Sequence, residues 1–210
     1  MTKNLIDRLL WRGIDIEPQS PLCEALRRER PNSLVIDCAV GVAREGRAFY
    51  RLTDNWGMST LDQSIAKRHQ ESGWTVLEET VSVVPLEEIL EGRATPGFEL
   101  LKIDVEGAEA EVLASFSINY WRPQVIVIEA TLPATTEVVH EEWEHLLLNA
   151  GYQLCLCDGL NRFYVSSDAL HLAASLSIPA NVFDRYIQFR WWKGLTEETR
   201  RLADPESRLS

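Results

Sequence analysis

The stretch Glu99-Leu100-Leu101-Lys102-Ile103-Asp104-Val105-Glu106-Gly107-Ala108-Glu109, followed by Val125-Ile126-Val127-Ile128-Glu129, sets two apolar runs directly ahead of carboxylates. Short runs this rich in Ile, Leu and Val read as parallel strands buried on both faces. In open α/β sheets, ligands bind outside the carboxyl ends of the strands. Asp104, Glu106 and Glu129 are therefore expected on one rim of one sheet, where an unpaired charge is costly unless it has a function or a partner. Gly107 lets the chain turn sharply into a helix over 108–116.

Working outward, strand-like and helix-like segments alternate. Residues 11–17 read as a strand stopped by Pro18, and 21–29 as a helix with Ser20 as its cap and Pro21 in its first turn. Strands follow over 33–38, 48–52 and 75–83, with a helix over 61–70 and a short one over 85–90. Beyond the two central strands, 100–104 and 125–129, a helix over 141–150 presents Trp143, Leu146, Leu147 and Ala150 on one face and stops at Gly151. Residues 152–157 and 162–165 read as two strands around the turn Asp158-Gly159-Leu160-Asn161. An aromatic-to-charged helical segment over 182–202 closes the chain. Alternating β and α units imply an α/β fold with a mainly parallel sheet and an antiparallel C-terminal pair.

Composition excludes several classes. With 210 residues, 45% of them hydrophobic, the chain can fill one core. A net charge of -11 argues against nonspecific nucleic-acid binding, which needs Lys and Arg on phosphates. The apolar runs fall far short of the ~18 residues of a membrane span, and Met1-Thr2-Lys3-Asn4 lacks a signal-peptide layout. A cytoplasmic protein is expected, without nucleic-acid or membrane partners. The cysteines Cys23, Cys38, Cys155 and Cys157 have no CxxC spacing and read as buried thiols, with Cys155 and Cys157 on one face of a strand.

The segment from Phe98 to Glu109 resembles the signature of the FkbM family of S-adenosylmethionine-dependent methyltransferases. Further blocks fit in family order: Trp11-Arg12-Gly13-Ile14-Asp15-Ile16-Glu17-Pro18, Gly57-Met58-Ser59-Thr60-Leu61, Trp143-Glu144 through Gly151-Tyr152, Asp158 through Val165, then Pro179 and Asn181-Val182-Phe183-Asp184. The resemblance implies a Rossmann-like methyltransferase fold and S-adenosyl-L-methionine as cofactor. It also implies methyl transfer onto an oxygen of a small-molecule or glycan acceptor, often a sugar or secondary metabolite. The family's first strand, with its glycine-bearing Asp-Val-Gly-Ala type motif, is expected just ahead of a helix over 2–10, and the chain begins after it. Neither Gly13 nor Gly41 stands in that place. The first strand is thus read as missing, residues 1–180 as an N-terminally truncated methyltransferase domain, and 181–210 as a helical extension.

Site roles follow from strand ends and from the resemblance. Glu17 ends the second family strand, where a carboxylate can accept hydrogen bonds from both ribose hydroxyls; the alternative is a solvated strand-end carboxylate. Asp37, Cys38 and Ala39 end the next strand, where the family places residues beside the adenine ring; Asp37 also suits a turn cap. Asp104 and Glu106 are read as catalytic, as the base or base orienter at the acceptor hydroxyl, with Asp104 also near the cofactor. Their other readings are a hard-metal site with Glu129, ranked behind catalysis so that no metal ligand is assigned, or a structural role for the group, with Glu106 or Glu109 pairing Lys102 or capping the next helix.

Glu129, Asn161 and Arg162 are assigned to the acceptor, with turn chemistry as the plainer account of the last two. Ser59 and Thr60 read as a helix N-cap and His69 as exposed. His140 and His145, five apart, miss a shared helical face. Trp191 and Trp192 read as packing residues of the C-terminal helix, which makes a homodimer conceivable. Two other functions stay open: a non-catalytic or partner-dependent remnant of the fold without cofactor binding, and a metal-dependent transferase acting on nucleotide-sugars through Asp104-Val105-Glu106.

Overall fold

A computed structural model describes residues 11–179 of the chain. The helices expected over 2–10 and 182–202, with Trp191 and Trp192, lie outside the described residues. Strand β1 (Gly13–Ile16) leads through helix α1 (Ser20–Glu29) to β2 (Ser33–Ile36), and the two strands pair in parallel with Gly13 opposite Ser33. Pro21 occupies the first turn of α1, where its missing N–H costs nothing, and Arg27 and Arg28 complement the carbonyl end of the helix.

A second group follows. Strand β3 (Ala39–Val40) runs parallel to β5 (Val76–Val84), and β4 (Glu45–Leu52) runs antiparallel along β5 from Glu45–Val83 to Leu52–Val76. Between β4 and β5 lies helix α2 (Gln63–Glu71). After β5 comes the short α3 (Leu86–Leu90).

The third group carries the two strands that open the sequence reading. Strand β6 (Leu100–Ile103) continues through α4 (Glu109–Ala114) and α5 (Ile118–Trp121) into β7 (Val125–Glu129). Helix α6 (Glu144–Asn149) precedes β8 (Tyr152–Cys157), and β9 (Asn161–Ser166) turns back between β7 and β8. The order is β6-β7-β9-β8, with β6 and β7 parallel and the other pairs antiparallel.

One mainly parallel sheet was expected; three sheets are found, one a parallel pair and two mixed. The antiparallel C-terminal pair is present, but the β4–β5 ladder is a second antiparallel unit. Its signal lay in Glu45, Arg47, Arg51, Glu78 and Glu79, polar residues that a doubly buried parallel strand would not carry. The helix expected over 141–150 is a 3-10 turn (His140–Glu142) followed by α6.

β7 is buried along its whole length and centres the main core. Ile126, Ile128, Trp143, Leu147 and Tyr164 are essentially inaccessible. Each such side chain contributes on the order of 1.5–3 kcal/mol by leaving water. Cys23 and Cys38 are buried as expected, but Cys155 is only partly covered and Cys157 is exposed. A register shift between Leu154 and Leu156 breaks the alternation that was expected to align them.

Among the described residues, β1 pairs only with β2, and β6 only with β7. Between these two edges lies a cavity of about 920 Å³, lined by every residue of β1 and of β6. No described helix is long and apolar enough to cross a membrane.

Candidate active site

The carboxyl ends of β1 and β6 open onto this cavity, and Glu17, Asp104 and Glu106 all line it. Its volume lies within the range of about 300–1,000 Å³ usual for small-molecule sites. At the β1 end, Glu17 Oε1 accepts the backbone N–H of Gln19 at 2.9 Å. Burial raises the pKa of Glu17, the hydrogen bonds from Gln19 oppose the rise, and the nearby Asp37 charge adds to it. Apolar wall is supplied on this side by Leu34 and Ala39. Asp37 and Cys38 do not line the cavity: Asp37 accepts the Ser20 hydroxyl at 2.9 Å, and Cys38 is buried in the core.

At the β6 end the chain makes an unusual turn. Glu106 has φ +54° and Gly107 φ +104°, both in the left-handed region. The positive φ of Gly107 favours glycine, and a Cβ there would also press on Ile65 Cδ1, the tip of a side chain that would have to shift. Two residues hold the turn. Glu109, 4% exposed, accepts the N–H groups of Val105 at 3.3 Å and Gly107 at 3.2 Å. Thr60, wholly buried, donates its hydroxyl to the Glu106 carbonyl at 2.7 Å.

Thr60 was expected to cap a helix with Ser59. The cap is instead Asp62, whose Oδ1 accepts Ser64 N–H at 2.6 Å and Ile65 N–H at 3.0 Å. The same helix buries His69, which was expected to be exposed. His69 shares the inner face of α2 with Ile65 and Ala66, at helical spacing, and burial lowers its pKa.

The carboxylates of Asp104, Glu106 and Glu129 converge, with one oxygen from each within 4.8 Å of the others. Lys102 pairs with Asp104. Burial, then the charges of Asp104 and Glu109, pushes Glu106 up to about 7. Burial, then the Glu106 and Asp104 charges, pushes Glu129 up to about 8. These are the directions expected for like charges taken out of water together. A carboxyl poised near neutrality can receive a proton from a reacting hydroxyl.

The acceptor candidates separate. Asn161 stands directly across from Glu129 in the β7–β9 ladder and is buried with it. Arg162, the next residue, faces the other side of the sheet, where its Nη1 donates to Glu144 Oε1 at 2.5 Å. Glu144 also accepts the Tyr164 hydroxyl at 2.8 Å, so Arg162 belongs to a structural network. Asp158 Oδ1 accepts Asn161 N–H at 2.7 Å and Leu160 N–H at 3.0 Å, as turn chemistry predicts. Glu109 was expected to pair Lys102 or cap the next helix as a structural alternative; it instead accepts N–H groups of the preceding turn, and the holding role of Thr60 escaped sequence reading.

The family model of the methyltransferase FkbM domain matches residues 2–154. No curated protein and no solved structure matches the chain.

Proposed function

The chain belongs to the FkbM methyltransferase domain family, and from that premise we propose that it methylates a hydroxyl oxygen with S-adenosyl-L-methionine as donor. The acceptor class is a sugar or secondary-metabolite hydroxyl, and the setting is the cytoplasm. The observation that carries this reading is one cavity lined by Glu17 after β1 and by Asp104 and Glu106 after β6.

The residues present suit the nucleoside end of the cofactor. Glu17 Oε1 is engaged with Gln19, which leaves Oε2 for ribose hydroxyls, and Leu34 and Ala39 offer apolar surface beside it. When bound, the cofactor supplies an electrophilic methyl group on a sulfonium. The chain's own work is then positional: most of the rate comes from holding the acceptor oxygen in line with that methyl. Asp104 and Glu106 face the same space, and Glu106 takes up the acceptor's proton as negative charge leaves the oxygen. Glu109 and Thr60 act through Glu106, by fixing the turn on which it sits.

Calorimetric titration of S-adenosylhomocysteine into the full chain tests the reading. Saturable binding that Glu17→Ala weakens supports it. A folded chain that takes up none overturns it and leaves a non-catalytic remnant of the fold.

A further inference from the structure

Asp104 follows β6, Glu106 sits in the turn beyond it, and Glu129 ends β7, yet their oxygens meet within 4.8 Å. Acidic neighbours alone are ordinary. Glu129 is not: it is only 8% exposed, and its Oε2 has no hydrogen-bond partner. A buried carboxylate oxygen left without a partner is costly, and such a group either holds a proton or takes a cation. Asp15 Oδ2 is likewise buried without a partner, but the charge of that carboxylate is matched by Arg30, which pairs with Oδ1 at 2.5 Å. Among the described residues the ion pair at the β6 rim is Lys102 with Asp104, and it leaves Glu129 unmatched.

We infer that Asp104, Glu106 and Glu129 form a binding site for one hard divalent cation of the Mg²⁺ and Ca²⁺ class, with Glu129 as its buried anchor. Three carboxylates and no nitrogen or sulfur ligand is the donor set such ions select. Oxygens on opposite sides of Ca²⁺ lie roughly 4.6–5.2 Å apart and those across Mg²⁺ about 4.2 Å. The observed spread of no more than 4.8 Å admits the larger ion as it stands. The smaller needs the three oxygens drawn closer, by a shift of the 45% exposed Asp104 side chain together with its partner Lys102. With one oxygen from each carboxylate on the cation, Glu106 keeps a second oxygen for the acceptor's proton, and the cation keeps open coordination positions. Resting on the methyltransferase reading, those positions would take an acceptor with two neighbouring oxygens, such as a vicinal diol, and fix which hydroxyl is presented.

The test is binding of Mn²⁺, a paramagnetic hard cation, to the full chain by electron paramagnetic resonance, with Mg²⁺ and Ca²⁺ as competitors. The expected result is a single saturable site. It is weakened roughly tenfold or more by Asp104→Asn and by Glu129→Gln, and unchanged by Glu141→Gln. If Glu129→Gln does not fold, Asp104→Asn carries the test. No saturable Mn²⁺ binding by folded protein, or an affinity indifferent to Asp104→Asn, overturns the inference. Competition by one of the two ions identifies the resident. S-adenosylhomocysteine titration of the same protein in EDTA keeps the readings apart. Cofactor binding without Mn²⁺ binding removes the cation site alone, and the reverse removes methyl transfer alone.

Discussion

Two sets of carboxylates sit at the two ends of the cavity, and they are treated in opposite ways. Asp15 and Glu17 line one end with Asp37 beside them; Asp104 and Glu106 line the other with Glu129 beside them. At the β1–β2 end, Asp15 meets Arg30, Glu17 takes an N–H from Gln19, and Asp37 takes the Ser20 hydroxyl. At the β6–β7 end, three carboxylates crowd together with one lysine, and a buried oxygen of Glu129 goes without a partner. The first set is held by partners the fold itself provides. The second keeps a cost that folding alone does not repay, and such costs concentrate where a site has chemistry to do.

The largest expected effect tests the second set directly. Glu106→Gln keeps the shape of the side chain and removes its ability to accept a proton. Methyl transfer should fall by roughly a hundredfold or more, the usual contribution of a positioned base, with S-adenosylhomocysteine affinity little changed. Initial rates on an acceptor found by screening, set beside calorimetry, separate the two. A rate within a few-fold of the parent would place the base elsewhere.

Stability should respond in opposite senses at the two ends. Arg30→Ala strands Asp15, whose side chain is 17% exposed, without its cation. Loss of about 2 kcal/mol is expected, between the costs of an exposed and a fully buried broken pair. Glu129→Gln in EDTA removes a buried carboxyl that burial holds protonated up to about pH 8, and should raise stability by about 1 kcal/mol. Urea unfolding of both variants checks the pair of signs. If Glu129→Gln is instead destabilising, Glu129 has a structural partner and the contrast between the two ends fails.

Much of this was legible beforehand, for physical reasons. The strand over 125–129 was read to the residue because a continuous Val-Ile run that ends in Glu suits a doubly buried strand. The convergence of Asp104, Glu106 and Glu129 followed from strand ends sharing a rim. Division into three sheets was not legible, because a residue's own strand character does not say which edge it pairs with. Thr60 escaped because its partner, the Glu106 carbonyl, is 46 positions away, and a backbone acceptor leaves no trace in side-chain chemistry. His69 was misplaced by attention to its polar neighbours; its spacing from Ile65 marked the buried face.

Asp62 marks the far extreme of the partnered class, and it supports the site from behind. Its Oδ1 caps α2, its own N–H donates to Thr60 Oγ1 at 2.9 Å, and Thr60 in turn holds the Glu106 carbonyl. Burial alone would raise its pKa, but hydrogen bonds from Ser64 and Ile65 outweigh it and the pKa is lowered, opposite to Glu106 and Glu129. A depressed carboxyl contributes stability that is present above its unfolded value, here 3.8. That contribution is lost as pH falls through the lower folded value. Asp62→Ala should therefore cost about 1 kcal/mol at neutral pH, the usual worth of an N-cap. The gap between variant and parent should close as pH falls below 3.8 and through the lower folded value, as seen by thermal unfolding across the range. A gap that stays constant with pH would assign the loss to packing. A gap that closes, with methyl transfer also reduced at neutral pH, would show that the best-partnered carboxylate near the cavity works by steadying its most strained one.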